Sequence, residues 1–122
     1  MVLSEPLSFW GGMDPSTGEV VDGHHPQAGV SLAGRVVAMR SGRGSSSSSS
    51  VLAEAIRSGT GPAAVVLVEP DVIVALGSIV AAELYGAEVP VVCVSEEAFA
   101  RLPSGGVVDV RAANEGAVIR PA

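Results

Sequence analysis

The sequence is poor in several residue types, and each shortage narrows the possible functions. Its single cysteine, Cys93, excludes an internal disulfide and a cysteine-based metal site formed by this chain alone. Seven Lys and Arg residues against 13 Asp and Glu give a net charge of −6, which argues against a nucleic-acid or anionic-membrane surface. No apolar run approaches the roughly 20 residues of a membrane span and no signal-peptide pattern opens the chain, so we expect a cytoplasmic protein.

Small aliphatic residues and glycine take the place of aromatic side chains. Aromatic residues make up 3% of the chain, whereas glycine accounts for 15 of 122 positions and 48% of residues are hydrophobic. This chain is too apolar to be disordered and long enough to bury a core without metal or disulfide staples. We therefore expect one domain, 1–122, of the α/β class, with a core of Val, Ala, Leu and Ile.

Hydrophobic periodicity predicts alternating strands and helices after residue 34. Apolar runs predict strands at 35–39, 63–68 and 89–94, and helical spacing predicts helices at 51–59, 72–85 and 95–102. This order predicts a mainly parallel sheet covered by helices, with a closing β pair at 107–110 and 117–119 outside it. Glycine and proline at 10–34 predict a long loop, of a length that is usually functional or ordered by a partner.

A glycine-serine turn is the leading candidate for a functional site. The segment 41–46, Ser-Gly-Arg-Gly-Ser-Ser, lies between a predicted strand and a predicted helix, where backbone N–H groups and the helix dipole favour an anion. Its glycines let the backbone approach a ligand, and Arg43 can pair with a carboxylate or phosphate. The hydroxyls of Ser45 and Ser46 are expected in the same space. Alternatively, a serine only caps the helix and the glycines only turn the chain.

Residues before this turn have a structural and a functional interpretation. Asp14 precedes Pro15, so local chemistry predicts a turn residue that bonds its own backbone. Trp10 is expected as a core or interface anchor. His24 and His25 lie in a polar loop, where solvent-exposed histidines are the default.

The same two interpretations apply to residues after the turn. Glu69 and Asp71 follow a predicted strand, where ligand groups are common, although Asp71 can instead cap the next helix. Cys93 is expected as a small core residue of a buried strand. Four apolar helix positions are expected in the core or in a subunit interface: Leu76, Ile79, Val80 and Leu84.

Four sequence blocks, in this order and spacing, resemble the small subunit, or swivelling domain, of the aconitase X family. They are Phe-Trp-Gly-Gly-x-Asp-Pro-x-Thr-Gly at 9–18, His-Pro at 25–26, Ser-Gly-Arg-Gly-Ser-Ser at 41–46 and Glu-Pro-Asp at 69–71. The resemblance implies a swivelling β/β/α domain similar to the small domain of aconitase, with a parallel sheet, flanking helices and a small second β layer. Such subunits usually begin with a further strand and a glycine-rich segment, so we expect the N-terminus to be truncated or supplied differently here, which leaves the completeness of the β layer open.

The resemblance implies a hydro-lyase that is active only with a large catalytic subunit. The first serine of the related Gly-Ser-Ser turn in other aconitases is the base, and by position this is Ser45. Where that turn continues with an arginine for the substrate carboxylate, this chain has Ser47, so either Arg43 or the large subunit is expected to take that part. An iron-sulfur cluster, 2Fe-2S or 4Fe-4S, is expected on the large subunit and none on this chain. The substrate contacts implied here are Asp14, Arg43, Gly44 and Ser46, where Asp14 is either a lip of the substrate cleft or a contact to the large subunit.

The family resemblance leaves the substrate open between two hydroxy acids. The alanine-, valine- and glycine-rich composition favours cis-3-hydroxy-L-proline over mevalonate 5-phosphate. A phosphate-specific site should have added basic residues near the cleft, and the two beside the turn, Arg40 and Arg43, could serve either acid. A carrier or binding module is the first alternative, because phosphohistidine carriers share this architecture, although the turn carries serine and not histidine. A purely structural regulator is the second, and it predicts that Ser45→Ala leaves a partner enzyme active.

Overall fold

Three parallel strands form the main sheet in the order of the sequence. The computed structural model describes residues 1–43, 46–102, 108–113 and 116–121. In it, β1 (Val36–Met39) pairs with β2 (Ala64–Leu67), and β2 pairs with β3 (Val91–Cys93), both in parallel. The N-terminal segment runs beside β1, where the N–H of Leu3 donates to the carbonyl of Ala38. This topology confirms the predicted parallel sheet.

Helices connect the strands and begin and end at the residues that favour such boundaries. They are α1 (Phe9–Gly12), α2 (Ser48–Ser58), α3 (Val72–Tyr85) and α4 (Glu96–Ala100). The hydroxyl of Ser95 accepts a hydrogen bond from the N–H of Ala98 and caps α4. Gly59 and Gly86 end α2 and α3 with φ values of 77° and 65°, which glycine adopts most readily. The three predicted helices are confirmed, although α2 begins inside the serine tract. α1, which lies in the predicted loop, is irregular, because Trp10 and Gly11 have non-helical backbone angles.

Apolar side chains cover the main sheet on both faces, because successive residues of a strand point to opposite sides. On one face, residues of β1 and β2 pack with α2, α3 and the N-terminal segments; they include Val37, Met39, Val65, Leu67, Leu52, Val74, Leu7 and Phe9. On the other face, a smaller cluster joins the strands to α4; it contains Ala38, Val66, Val92 and Phe99. The core is therefore mainly aliphatic, as the composition predicts.

Backbone hydrogen bonds and buried side chains fix the glycine-rich segment 13–34. The N–H of Val20 donates to the carbonyl of Val30 at 2.9 Å, and the N–H of Leu32 donates to that of Gly18 at 2.8 Å. Both Val20 and Leu32 are buried in the larger cluster. A side chain at Gly18 would overlap the carbonyl oxygen of Thr60, so only glycine fits there. The predicted loop therefore contributes its own part of the core.

A second, two-stranded sheet follows α4. Strands β4 (Val108–Ala113) and β5 (Gly116–Pro121) are antiparallel, with Val110 opposite Ile119. This confirms the predicted β pair outside the main sheet; its predicted first residue, Val107, lies outside the described residues. Within the described ranges, no helix is both long enough and apolar enough to cross a membrane.

Candidate active site

The glycine-serine turn lies at the carboxyl edge of the main sheet. Arg43 is four residues past the end of β1, and Ser46 precedes the start of α2 by two residues. Gly44 and Ser45, the predicted substrate contact and base, lie outside the described residues. The carbonyl of Ser46 accepts a hydrogen bond from the hydroxyl of Ser49 at 3.0 Å, and the Ser46 side chain is exposed. Ligand sites of parallel sheets commonly lie at this edge, and the N-terminus of α2 adds partial positive charge.

Asp71 joins the start of the turn to the start of α3. Its Oδ1 accepts hydrogen bonds from the N–H groups of Ile73 at 2.9 Å and Val74 at 3.0 Å, which confirms the capping role. Its Oδ2 lies against Gly42, so closely that a Cβ at Gly42 would overlap it. Gly42 also forms a parallel bridge with Leu7. The first half of the turn is therefore held between the cap of α3 and the N-terminal segment.

Ser48, which the sequence patterns did not single out, fixes the other side of the turn. Its buried hydroxyl accepts a hydrogen bond from the N–H of Trp10 at 3.1 Å. The hydroxyl of Ser8 lies 3.4 Å from it and donates to the carbonyl of Trp10 at 2.8 Å. These bonds attach α1 to the first turn of α2. Ser48 stands four residues before buried Leu52, a helical spacing that marks the inward face even within a serine tract.

Trp10 is half exposed, at 51% of its surface, while its neighbour Phe9 is buried. Its indole therefore is not a core anchor of this chain, and that half of the prediction is wrong. The interface half stays a prediction.

The two arginines beside the turn lie in different surroundings. Arg40 forms an ion pair with Glu96 of α4, and its guanidinium carbon lies 5.2 Å from the centroid of the Phe99 ring. These partners are on the sheet face opposite α2, because Arg40 has the same strand parity as Ala38. Arg43 is exposed and makes no ion pair with the described residues. Arg43 is therefore the cation that the turn itself presents.

Asp14 lies away from the turn within this chain. Its own turn packs at the amino edge of the sheet, where the hydroxyl of Thr60, which precedes β2, donates to the carbonyl of Pro15 at 2.6 Å. The Asp14 carboxylate accepts hydrogen bonds from the hydroxyl and the N–H of Ser16, at 2.6 and 2.8 Å. These bonds, the hydroxyl first, hold the pKa of Asp14 below its usual value. The structure brings Arg43 and Ser46 to one edge and leaves Asp14 at the other.

Two further predictions are wrong. His25 is buried and not solvent-exposed: its Nδ1 accepts from the N–H of Gln27 and its Nε2 donates to the carbonyl of Glu5, both at 3.0 Å. Both ring nitrogens of His25 are paired with backbone groups, so its role is structural. Cys93 is exposed and not buried, because it ends the edge strand β3. Glu69 is exposed, as expected of a residue after a strand.

The described residues do not fit an iron-sulfur cluster. Among residues 1–43, 46–102, 108–113 and 116–121, no group of three or more His, Cys, Asp and Glu side chains could hold a metal ion. Cluster irons are held mostly by several cysteine thiolates, and this sequence has one cysteine. No step of a reaction is therefore assigned to a cluster on this chain.

Comparison with known proteins points to one family. The family model described as the aconitase X swivel domain matches residues 1–119. The crystal structure of Thermococcus kodakaraensis aconitase X, in its holo-form, superposes with a TM-score of 0.81 at 31% identity, over 98% of this chain and 84% of that chain.

Two groups of relatives have names that describe a reaction. Cis-3-hydroxy-L-proline dehydratase of Pseudomonas aeruginosa is 56% identical over 90 residues, which are 74% of this chain and 16% of that enzyme. The phosphomevalonate dehydratase small subunit of Methanothermobacter thermautotrophicus is 42% identical over 81 residues, which are 66% of this chain and 62% of that subunit. The aligned region is thus less than a fifth of the first relative and less than two thirds of the second.

Proposed function

The chain belongs to the aconitase X swivel-domain family, and we propose that it is the small, swivelling part of a hydro-lyase that removes water from cis-3-hydroxy-L-proline. The observation that carries this proposal is the 56% identity with the Pseudomonas aeruginosa enzyme of that name, against 35–47% with six phosphomevalonate dehydratase small subunits. The product of this elimination, after tautomerisation, is Δ1-pyrroline-2-carboxylate.

The charges at the turn support a substrate with one anionic group. With Arg40 paired to Glu96, the turn presents the single guanidinium of Arg43. One guanidinium matches one carboxylate in a bidentate pair, whereas a phosphate monoester carries close to two charges near neutral pH. Hydroxyproline has one carboxylate, and mevalonate 5-phosphate has a carboxylate and a phosphate. We therefore assign Arg43, with Gly44 and Ser46, to the substrate carboxylate.

Ser45 is the residue that we assign as the proton acceptor. The proton on the carbon α to the carboxylate passes to Ser45 Oγ, the electron pair forms the new carbon–carbon double bond, and hydroxide leaves the β carbon. A serine alkoxide is a poor species in water, but backbone N–H groups at the start of α2 and the charge of Arg43 would stabilise it in a closed site. The assignment rests on the position of Ser45 between these two groups in the sequence.

The remaining catalytic groups are assigned to a large catalytic partner. Departure of hydroxide calls for a Lewis acid, and the described residues of this chain do not fit the family's iron-sulfur cluster. The aligned region covers 16% of the Pseudomonas aeruginosa dehydratase, so most of that enzyme has no counterpart here. The role of Asp14 as a substrate contact stays a prediction, since within this chain its turn lies at the other edge of the sheet.

The proposal is tested by co-expressing this chain with the large subunit encoded beside it and purifying the pair anaerobically. We expect turnover of cis-3-hydroxy-L-proline and a loss of kcat by several orders of magnitude in Ser45→Ala, with the complex intact. Ser50→Ala is the matched control, because Ser50 is an exposed serine of the same tract inside α2. An active Ser45→Ala complex would exclude Ser45 as the base.

The second candidate function is the small subunit of a phosphomevalonate dehydratase. One observation favours it: the relatives with that name are small subunits, and the match covers 62% of the one from Methanothermobacter thermautotrophicus. The same assay decides between the two, since turnover of mevalonate 5-phosphate in place of hydroxyproline would establish this alternative. A chain that forms no complex at all would favour the carrier or binding-module interpretation.

A further inference from the structure

Helix α3 exposes a stripe of aliphatic side chains on the face that points away from the core. Val72 is 81% exposed, Leu76 47% and Ile79 57%. They stand at positions i, i+4 and i+7, so they lie on one face, whereas Val74, Gly77 and Ala81 form the buried face. The outward face of a surface helix is normally polar, and contiguous exposed apolar patches mark interaction sites.

This stripe begins beside the glycine-serine turn. Val72 follows Asp71 directly, and Oδ2 of Asp71 lies against Gly42 at the start of the turn. Trp10 is also half exposed, and its backbone N–H donates a hydrogen bond to Ser48 at the start of α2, on the other side of the turn. Exposed apolar side chains therefore stand on both sides of the candidate active site, at the carboxyl edge of the sheet.

We propose that the large catalytic partner docks on this surface, formed by Trp10, Val72, Leu76 and Ile79, which we call the docking face. The inference rests on the proposed function and adds to it the place of contact. A partner that brings catalytic groups to a substrate held at the turn has to approach this edge, and in doing so it covers the side chains that flank the turn. The partner is expected to present an apolar patch at the rim of its own catalytic cleft.

A second copy of this chain is a poorer occupant of the docking face. A twofold pairing through the stripe would use the same patch on both copies and bring two identical turns together. Such a homodimer would bring together two identical turns, and it would supply no catalytic group that the described part of one chain lacks. The aligned region is 16% of the Pseudomonas aeruginosa dehydratase, so a large partner region exists in that relative to occupy the face.

The test measures binding of this chain to the large subunit encoded beside it. Val72→Asp and Leu76→Asp each place a charge in the docking face, and we expect each to weaken the complex at least about tenfold in Kd, the range found for anchors at the centre of an interface. Leu84→Asp is the matched control, because Leu84 is 68% exposed on the same helix but lies at its far end, away from the turn. It is expected to leave Kd within about twofold. Circular dichroism of each isolated variant checks that it is folded.

Two results would overturn the docking face. In the first, the folded Val72→Asp and Leu76→Asp variants bind the large subunit as tightly as the wild type. In the second, the chain alone sediments as a dimer that Val72→Asp converts to a monomer, which would assign the face to a second copy. A different result would overturn the proposed function alone. In that case the wild-type complex forms and Val72→Asp weakens it, but the complex dehydrates neither hydroxy acid.

Discussion

Replacing Gly42 by alanine is expected to break the cap of α3 from outside the helix. A methyl group at this position would overlap Oδ2 of Asp71 and come within 3.3 Å of Cγ2 of Val74. The carboxylate cannot move freely, because its Oδ1 accepts hydrogen bonds from the N–H groups of Ile73 and Val74. Gly42 is not among the glycines with positive φ, so alanine brings no backbone strain of that kind. Its cost arises from the displaced carboxylate.

Two opposing terms set the size of the effect. Loss of an aspartate N-cap costs about 0.5–2 kcal/mol. Replacing glycine by alanine at a compatible backbone position returns about 0.4–1 kcal/mol, because the unfolded chain becomes less flexible. At the middle of both ranges the cap term is the larger, so Gly42→Ala should lower the free energy of unfolding by about 0.5 kcal/mol, which lowers Tm by about 2 °C for a chain of this length.

Urea unfolding followed by circular dichroism measures this change, with Gly23→Ala as the control. A methyl group at Gly23 would meet no other atom within 4 Å, and Gly23 has no positive φ, so its alanine variant should be neutral or slightly more stable. In the Asp71→Ala background the cap is already lost, and Gly42→Ala should then cost nothing. Full additivity of the two substitutions, or a Gly42→Ala variant as stable as Gly23→Ala, would refute the reasoning.

Three other changes test separate contacts. Gly77→Ala should destabilise the chain in urea by about 1–3 kcal/mol, although alanine favours helices, because its methyl would lie 2.9 Å from a backbone oxygen of α2; a stabilised variant would contradict this. His25→Ala should cost about 1–3 kcal/mol by leaving two backbone groups unpaired, the carbonyl of Glu5 among them, and an unchanged urea midpoint would contradict it. Ser16→Ala should raise the pKa of Asp14 towards its usual value, which NMR titration measures. A carboxyl group with a lowered pKa stabilises the fold at pH values above its usual pKa, and this stabilisation is lost as the pH falls. The variant should therefore lose less stability on acidification than the wild type.

Local signals account for most of what the sequence predicted. Asp71 and Ser95 cap their helices with their own side chains, and Gly59 and Gly86 end theirs in the left-handed conformation. Each of these features depends on residues within four positions, so a single sequence reveals them. The parallel sheet follows in the same way, since three apolar runs separated by helices leave little other choice. The turn that carries Arg43 could be placed at the strand–helix junction for this reason.

What the sequence did not reveal depends on distant contacts. His25 is buried because the carbonyl of Glu5, 20 residues earlier, accepts its ring N–H. Cys93 is exposed because β3 is an edge strand, and an apolar run has the same pattern in an edge strand as in a central one. α2 begins at Ser48, earlier than its apolar residues indicate, and Trp10, 38 positions away, donates to that hydroxyl. The spacing of Ser48 and Leu52 indicates the inward face of α2, but no local pattern identifies Trp10 or Glu5 as the partner of these buried polar residues.

The side of the sheet to which Arg40 points limits the positive charge that this chain brings to the candidate site. Val37 and Met39 point to the α2 and α3 face of the sheet, so Ala38 and Arg40 point to the α4 face. There Glu96 pairs with Arg40, and Phe99 lies under its guanidinium. The sequence has two arginines beside the turn, Arg40 and Arg43. Once the inward face of β1 is known, the alternation of its side chains places Arg40 on the opposite side of the sheet. A turn that presents one guanidinium suits the monocarboxylate that we propose as the substrate, and this argument depends on the side of the sheet on which Arg40, the residue after β1, lies.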